Sequence, residues 1–186
     1  MRLAIISASP NKEGLTASCV MKAIEGARDL DHETVHFDLN QMEVNLCQAC
    51  KNGWGICRSE HECIIDDDFN KIKKDLSLVD AFVIITPVYW WDMSESMKAF
   101  LDRLRRCEAS KSWDNQVSIL KDKPIIAVAA AGGSGNGVVP CLANMEKFID
   151  HVKGIKFDFI SITKRSRDYK LVAITKATEK MLSSLM

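Results

Sequence analysis

The sequence predicts an α/β fold in which a parallel sheet of five strands lies between two layers of helices. Two observations support this prediction. Short apolar runs alternate five times with segments of helical periodicity, which is the order that successive βα units produce. The run AFVIITP at 81–87 has no polar face, as expected of a strand that helices cover on both sides.

Five segments are predicted as strands from their apolar or alternating patterns. In chain order they are 3–7, 33–38, 81–87, 124–130 and 156–163. Five parallel strands favour the flavodoxin-like order 2-1-3-4-5 over a six-stranded dinucleotide-binding sheet. We therefore expect one α/β/α domain over 1–186, with a cysteine-rich loop at 45–66.

Helices are predicted where apolar residues recur at spacings of three and four. The first begins near Leu15, with Thr16 as its expected N-cap. The clearest helix follows the third strand, and its apolar face is formed by Met97, Phe100, Leu101, Leu104 and Cys107. The other helices are expected at 67–76, around 142–152 and at 171–185.

Composition and charge restrict the class of function. Apolar residues make up 47% of the chain, charged residues 27%, and the formal net charge is zero. These values are typical of a soluble globular protein. They give no long-range field that would favour nucleic acid and no basic run that would favour a membrane surface. The first apolar run is too short for a signal peptide, so we expect a cytoplasmic protein.

Three loops should lie at the carboxyl edge of the sheet, where doubly wound folds bind ligands. The first, SASPNKEGLT at 7–16, offers hydroxyls and helix amides to a phosphate. The second, TPVYWWDMS at 86–94, places three adjacent aromatic residues at a strand end, where a planar ligand could stack. The third, AAAGGSGNGVV at 129–139, has four glycines within six residues, which suits the close approach of a ligand or another backbone.

Each loop also has an interpretation without a ligand. The first could be a capped turn, the second an oligomer contact or the edge of the core, and the third a flexible turn. The glycine spacing matches neither the dinucleotide fingerprint nor the P-loop. A nucleoside triphosphate is therefore not indicated.

In their order and spacing, the three loops resemble those of the flavodoxin-like NAD(P)H-dependent FMN reductases. The resemblance is closest to the iron–sulfur flavoprotein-like branch and covers most of 1–150. Its strongest part is P-V-Y at 87–89 followed by S-x-x-x-K-x-F-x-D-R at 94–103. The segment IIDDDF at 64–69 also resembles that branch.

The resemblance implies which residues contact FMN. Those implied at the phosphate are Ser9, Asn11, Lys12 and Thr16. Those implied along the flavin ring are Pro87, Val88, Tyr89 and Trp90. Those implied at the polar edge of the ring are Gly132, Gly133, Gly135 and Asn136. The family's first loop often reads S-P-R-x-x-G-N-T; here Asn11 replaces its Arg and Leu15 replaces the Asn before Thr, which predicts weaker phosphate binding.

The resemblance further implies an FMN-dependent oxidoreductase that takes a hydride from NADH or NADPH. The electrons would pass to a flavin, a quinone, a nitro compound or a protein acceptor, and the chain would form a homo-oligomer such as a homodimer. Because the flavin carries such chemistry, no catalytic side chain is required. One alternative is an electron-transfer protein that does not itself oxidise NAD(P)H. Another is a non-redox binding protein with an empty flavin site.

Four of the seven cysteines fall in one segment with the spacing C-x2-C-x6-C-x5-C: Cys47, Cys50, Cys57 and Cys63. The cluster-bearing branch has the more compact spacing C-x2-C-x2-C-x5-C, with a third cysteine where Gly53 stands here. Three interpretations remain open: a metal-free loop, a [4Fe–4S] cluster or zinc. The other three cysteines, Cys19, Cys107 and Cys141, lie in predicted helices and are interpreted as packing residues.

Overall fold

The structure, a computed structural model, describes residues 1–185 and contains six strands. They are β1 (Arg2–Ser7), β2 (Glu33–Asp38), β3 (Ala81–Tyr89), β4 (Asp92–Met93), β5 (Pro124–Ala131) and β6 (Ile155–Thr163). Five of them form a parallel sheet in the order β2-β1-β3-β5-β6. Counted without β4, this order is 2-1-3-4-5, so the predicted flavodoxin-like fold is confirmed.

The sixth strand, β4, was not predicted from the sequence. It pairs antiparallel with the end of β3, so that Tyr89 lies opposite Asp92. The two residues between them, Trp90 and Trp91, have φ values of 48° and 71°. Positive φ at both central positions is the geometry of a tight hairpin turn with the twist of β-strands. The turn usually contains Asn or Gly, and two tryptophans therefore gave no sequence signal for it.

The helices are α1 (Leu15–Arg28), a four-residue α2 (Cys50–Gly53), α3 (Asp68–Leu76), α4 (Glu95–Ser110), α5 (Val138–His151) and α6 (Arg167–Ser183). A short 3-10 helix at Lys111–Asp114 continues α4. The prediction of Thr16 as the N-cap of α1 was wrong, because Gly14 occupies that position. Asp67 lies just before α3 rather than inside it, and its Oδ1 accepts a hydrogen bond from Phe69 N at 3.1 Å. Helix α6 begins one turn earlier than predicted.

Two apolar layers hold the helices against the sheet. One packs α3, α4 and α5 on one face, and the other packs α1 and α6 on the opposite face. Cys19, Cys107 and Cys141 are buried in these layers, as predicted for packing residues. Burial raises the pKa of each of the three thiols to about 12, so they remain protonated at neutral pH.

No helix within 1–185 combines the length and the apolar character needed to cross a membrane.

Candidate functional site

The structure brings the three predicted loops together at the carboxyl edge of the sheet. The loop after β1 begins beside the end of β3, because Ala8 N donates a hydrogen bond to Ile85 O at 3.2 Å. Pro87 of β3 pairs with Ala130 of β5, so the aromatic and glycine loops leave the sheet side by side. All three loops therefore flank one region, as the strand order requires.

Hydrogen bonds between neighbouring residues shape the first loop, the predicted phosphate loop at 7–16. Asn11 N donates to Ser9 Oγ at 3.3 Å, and Glu13 N donates to Asn11 Oδ1 at 3.0 Å. These side chains therefore bend the loop, and Lys12 lies exposed at its outer side. Ser9 and Asn11, which we expected to contact a phosphate, thus also hold the loop conformation.

Helix α1 begins at this loop without a side-chain cap. Its N-cap is Gly14, which offers no side-chain acceptor, and the first hydrogen bond of the helix runs from Ser18 N to Gly14 O at 3.0 Å. The amides of the first turn of α1, before Ser18, have no partner inside the helix. Thr16 lies buried in this turn. An uncapped helix N-terminus beside a bent loop is a site that fits a phosphate group.

The second loop presents its aromatic side chains to solvent. The exposed fractions are 40% for Tyr89, 94% for Trp90 and 56% for Trp91, whereas Pro87 is buried and Val88 half-buried. Single exposed aromatic residues are common on proteins, whereas three in sequence at a strand end are more typical of a binding surface. Trp91 was not among the residues predicted to contact the cofactor.

The third loop is open on one side and tightly packed on the other. A Cβ atom at position 132 or 133 would meet no atom within 4 Å. Gly137, in contrast, has φ of 85°, and a Cβ atom there would lie 2.8 Å from Trp91 Cα. Gly132 and Gly133 thus leave open space at the site, whereas Gly137 allows the loop to touch the hairpin. Sequence reasoning did not single out Gly137 among the four glycines.

A buried hydroxyl pair supports the loops from below. Ser94 N donates to Thr86 Oγ1 at 3.1 Å, and Ser94 Oγ lies 3.5 Å from Ala8 O. Ser94 is also the N-cap of α4, where its Oγ accepts from Met97 N at 3.5 Å. One side chain therefore links the loop after β1, the end of β3 and the start of α4.

The four clustered cysteines line one small cavity together with Cys107, Arg103 and Arg106. The cavity lies between the 47–65 segment and α4, and no residue of the three loops lines it. Within 1–185, no three cysteine, histidine or acidic side chains are arranged so that they could hold a metal ion. The thiols thus share a cavity but do not form a ligand set in the arrangement described.

Side chains of neighbouring elements hold the cysteine segment in place. The Trp54 and Trp113 rings meet edge to face at 5.2 Å, and Arg58 lies 3.7 Å from the centre of the Trp113 ring. Ser110 Oγ donates to Cys57 O at 2.8 Å, and Arg106 donates to Gly53 O. These contacts fix the segment to the end of α4 and the 3-10 helix that follows.

A buried ion pair anchors the two ends of the same segment. Arg103 Nη1 and Nη2 donate to Asp67 Oδ2 and Oδ1 at 2.6 and 2.9 Å, and the two side chains are 1% and 0% exposed. Arg103 Nη1 also donates to Asn45 O at 3.0 Å. Burial alone would raise the pKa of Asp67, but the hydrogen bonds from Arg103, Asn45 N and Phe69 N outweigh it and hold that pKa below its usual value. The pair is therefore charged at neutral pH.

The sheet order and the three loops at its carboxyl edge define a flavodoxin-like α/β protein. Residues 1–158 match the family described as NADPH-dependent FMN reductase. The chain belongs to this family, as the resemblance of the loops predicted.

Curated relatives agree with this assignment, and a solved structure shares the fold. The chain is 32% identical over 140 residues to an iron–sulfur flavoprotein of Methanosarcina thermophila, covering 74% of this chain and 66% of that protein. It is 25% identical over 162 residues to a putative NAD(P)H-dependent FMN-containing oxidoreductase of Bacillus subtilis, covering 84% and 81%. The chain therefore spans just under two thirds of the length of the iron–sulfur flavoprotein. An NAD(P)H:quinone oxidoreductase from Methanothermobacter marburgensis has the same fold, with a TM-score of 0.73 at 17% identity over 97% of this chain and 96% of that one.

Proposed function

We propose that the protein binds FMN at the carboxyl edge of its sheet and acts as an NAD(P)H-dependent oxidoreductase. The observation that carries the proposal is the uncapped N-terminus of α1, which opens beside the aromatic hairpin and the glycine loop. A doubly wound fold binds its ligand at this switch in strand order. Membership of the FMN reductase family gives the ligand its identity.

Each loop has a defined part in holding FMN. The amides of the first α1 turn, with Ser9, Asn11, Lys12 and Thr16, would bind the phosphate. The ring would lie along Pro87, Val88, Tyr89 and Trp90. Its polar edge would meet Gly132, Gly133, Gly135 and Asn136, where open space beside the first two glycines leaves room for it.

Bound FMN supplies hydride and electron transfer, so the chain needs to supply only position and environment. The buried Thr86 and Ser94 hydroxyls hold the loops at fixed spacing, and the exposed Tyr89 and Trp90 rings can shield a ring system from water. No side-chain nucleophile or base is assigned a step.

The partners are proposed from the names of similar proteins. Relatives and neighbours include an FMN-dependent NADH:quinone oxidoreductase and an FMN-dependent NADH-azoreductase, which favours NADH or NADPH as donor and a small-molecule acceptor such as a quinone. The exposed aromatic hairpin favours a homo-oligomer, since exposed aromatic residues are enriched at interfaces. We also propose a cytoplasmic location, in which thiols stay reduced.

We further propose that the cysteine segment carries no metal. Within 1–185, no three potential ligands are arranged to hold a metal ion, and aromatic, arginine and hydroxyl contacts already hold the segment. Iron and acid-labile sulfide measured after anaerobic purification test this proposal. We expect neither above background, and four irons per chain would overturn it.

The phosphate site is tested by the double variant Ser9→Ala/Thr16→Val. Loss of hydrogen bonds to a charged group should weaken FMN binding about tenfold or more, measured by quenching of flavin fluorescence. The matched control Thr34→Val/Ser59→Ala makes the same chemical changes outside the three loops. Equal FMN affinity in both double variants would contradict the assigned site.

An electron-transfer protein that does not oxidise NAD(P)H is the second candidate. It is favoured by the relatives named iron–sulfur flavoprotein. Stopped-flow reduction of the FMN-loaded protein separates the two. Fast bleaching by NADPH or NADH supports the reductase, whereas slow bleaching by both, with fast bleaching by a reduced ferredoxin-like protein, supports the alternative.

A further inference from the structure

A second cleft opens on the other side of the phosphate loop, between α1 and β2. It has a volume of about 290 Å³, close to the lower end of the range of small-molecule sites. Ser9, Lys12 and Thr16 of the phosphate loop line its upper end, and residues of α1 and β2 line its length. The cleft is therefore continuous with the proposed phosphate site.

The strand order sets the direction in which this cleft leaves the phosphate loop. In the order β2-β1-β3-β5-β6, the aromatic loop after β3 and the glycine loop after β5 both lie on one side of β1. The cleft lies on the opposite side, beside β2. A phosphate bound at α1 would thus have the flavin on one side and an unused cleft on the other.

The two walls of the cleft differ in chemistry. The α1 wall is apolar and includes Val20, Met21 and Ile24, with 63% of Met21 exposed. The β2 wall is polar and includes His36 and Asp38. A flat apolar ring system bearing hydroxyl groups matches this pair of walls.

Asp38 offers a free acceptor in the cleft. Its Oδ1 accepts a hydrogen bond from Asn40 N at 3.1 Å, while its Oδ2 makes no hydrogen bond or ion pair with any part of the described chain. His36 Nε2 lies 2.9 Å from Ser7 Oγ. Burial lowers the pKa of His36, although the Asp38 charge acts in the opposite direction. His36 is therefore uncharged at neutral pH and does not neutralise the Asp38 carboxylate on the same strand. In dinucleotide-binding folds, an acidic side chain about 20 residues after the phosphate loop binds the ribose diol, and Asp38 follows the loop at 7–16 by a similar interval in the sequence.

We propose that this cleft takes the adenosine half of a flavin dinucleotide, so that the protein binds FAD as well as FMN through one phosphate loop. The proposal rests on the flavin site proposed above. The second phosphate would lie near Lys12, the ribose diol would bind Asp38 Oδ2, and the adenine would pack against Met21 and its apolar neighbours.

The test is a fluorescence titration of apoprotein with FMN and with FAD. We expect FAD to bind at least as tightly as FMN. Asp38→Asn keeps the acceptor for Asn40 N but removes the charge, and it should weaken FAD about fivefold or more while leaving FMN within about twofold. Met21→Ala, which shortens the apolar wall, should act in the same direction. Glu33→Gln, at the far end of the same strand, is the matched control and should change neither affinity.

Two results would overturn the proposal. One is FAD binding more than tenfold weaker than FMN in the unaltered protein. The other is unchanged FAD affinity in the Asp38→Asn variant, whatever the effect of this substitution on KM for NADPH. In that case the cleft would bind the adenosine of the pyridine nucleotide or no ligand. Failure to bind either flavin would instead refute the proposed flavin site itself.

Discussion

Gly137 joins two loops of the candidate site, and its substitution shows how closely they depend on each other. Its φ of 85° is costly for any residue with a side chain, and a Cβ atom there would lie 2.8 Å from Trp91 Cα. Gly137→Ala should therefore lower the free energy of unfolding by about 2–4 kcal/mol, measured by urea denaturation.

Gly133→Ala is the matched control for this prediction. A Cβ atom at Gly133 would meet nothing within 4 Å. The free energy of unfolding of the Gly133→Ala variant should therefore change by less than about 0.5 kcal/mol. The new methyl group would instead occupy space assigned to the flavin. If both variants were equally stable, the contact between Gly137 and Trp91 would not be as close as described.

The buried Asp67–Arg103 pair is the second residue-scale feature with a large expected effect. Asp67→Asn would leave the guanidinium buried without its counter-charge. Removing one partner of a buried pair typically costs about 3–5 kcal/mol, and urea denaturation at pH 7 should show a loss of this size. The surface pair Lys98–Asp102 gives the matched control Asp102→Asn, for which we expect a loss below about 1 kcal/mol.

The pH dependence of the same variant gives an independent check. Because the folded pKa of Asp67 lies below its unfolded value, its stabilisation is complete above about pH 4 and declines as the pH falls through the folded pKa. The stability gap between the unaltered protein and Asp67→Asn should therefore be constant from about pH 5 to 8 and narrow below about pH 4. A gap that widened on acidification would contradict the assigned pair.

At the scale of elements, α4 connects the candidate flavin site to the cysteine cavity. Its N-cap, Ser94, supports the loops at the sheet edge, and Arg103, Arg106 and Cys107 line the cavity further along the helix. The cysteine segment itself contacts none of the residues assigned to FMN through a hydrogen bond. Helix α4 is thus a shared support for two otherwise separate regions.

This separation predicts that Cys47→Ser leaves FMN affinity within about twofold of the unaltered protein. Cys47 is exposed, and a serine in its place neither buries a new hydroxyl nor alters a loop of the flavin site. Fluorescence titration measures the affinity. Loss of FMN binding in this variant, with the fold intact by circular dichroism, would show that the two regions are coupled.

The same scale shows which elements the sequence could predict. Apolar runs and helical periodicity located all five parallel strands and the helices after them, because burial on a sheet face imposes those patterns. Strand β4 escaped prediction, since two residues carry no periodicity. The conformation of the cysteine segment also escaped, because contacts with Ser110, Trp113 and Arg103, distant in sequence, determine it.

At the scale of the whole molecule, the strand order explains the position of every feature of the site. The phosphate loop lies between the flavin loops on one side and the α1–β2 cleft on the other because β1 lies between β3 and β2. The sequence predicted this order and all three loops. It could not predict the cleft, since the polar residues of β2 do not reveal how much of that strand α1 leaves uncovered.

The most direct test of the flavin assignment is a visible absorption spectrum of the anaerobically purified protein, taken before and after acid precipitation. We predict flavin bands that move to the supernatant on precipitation, with no underlying absorbance that acid destroys. No visible absorbance, even after FMN is added to the protein, would contradict the proposed function and leave only the fold.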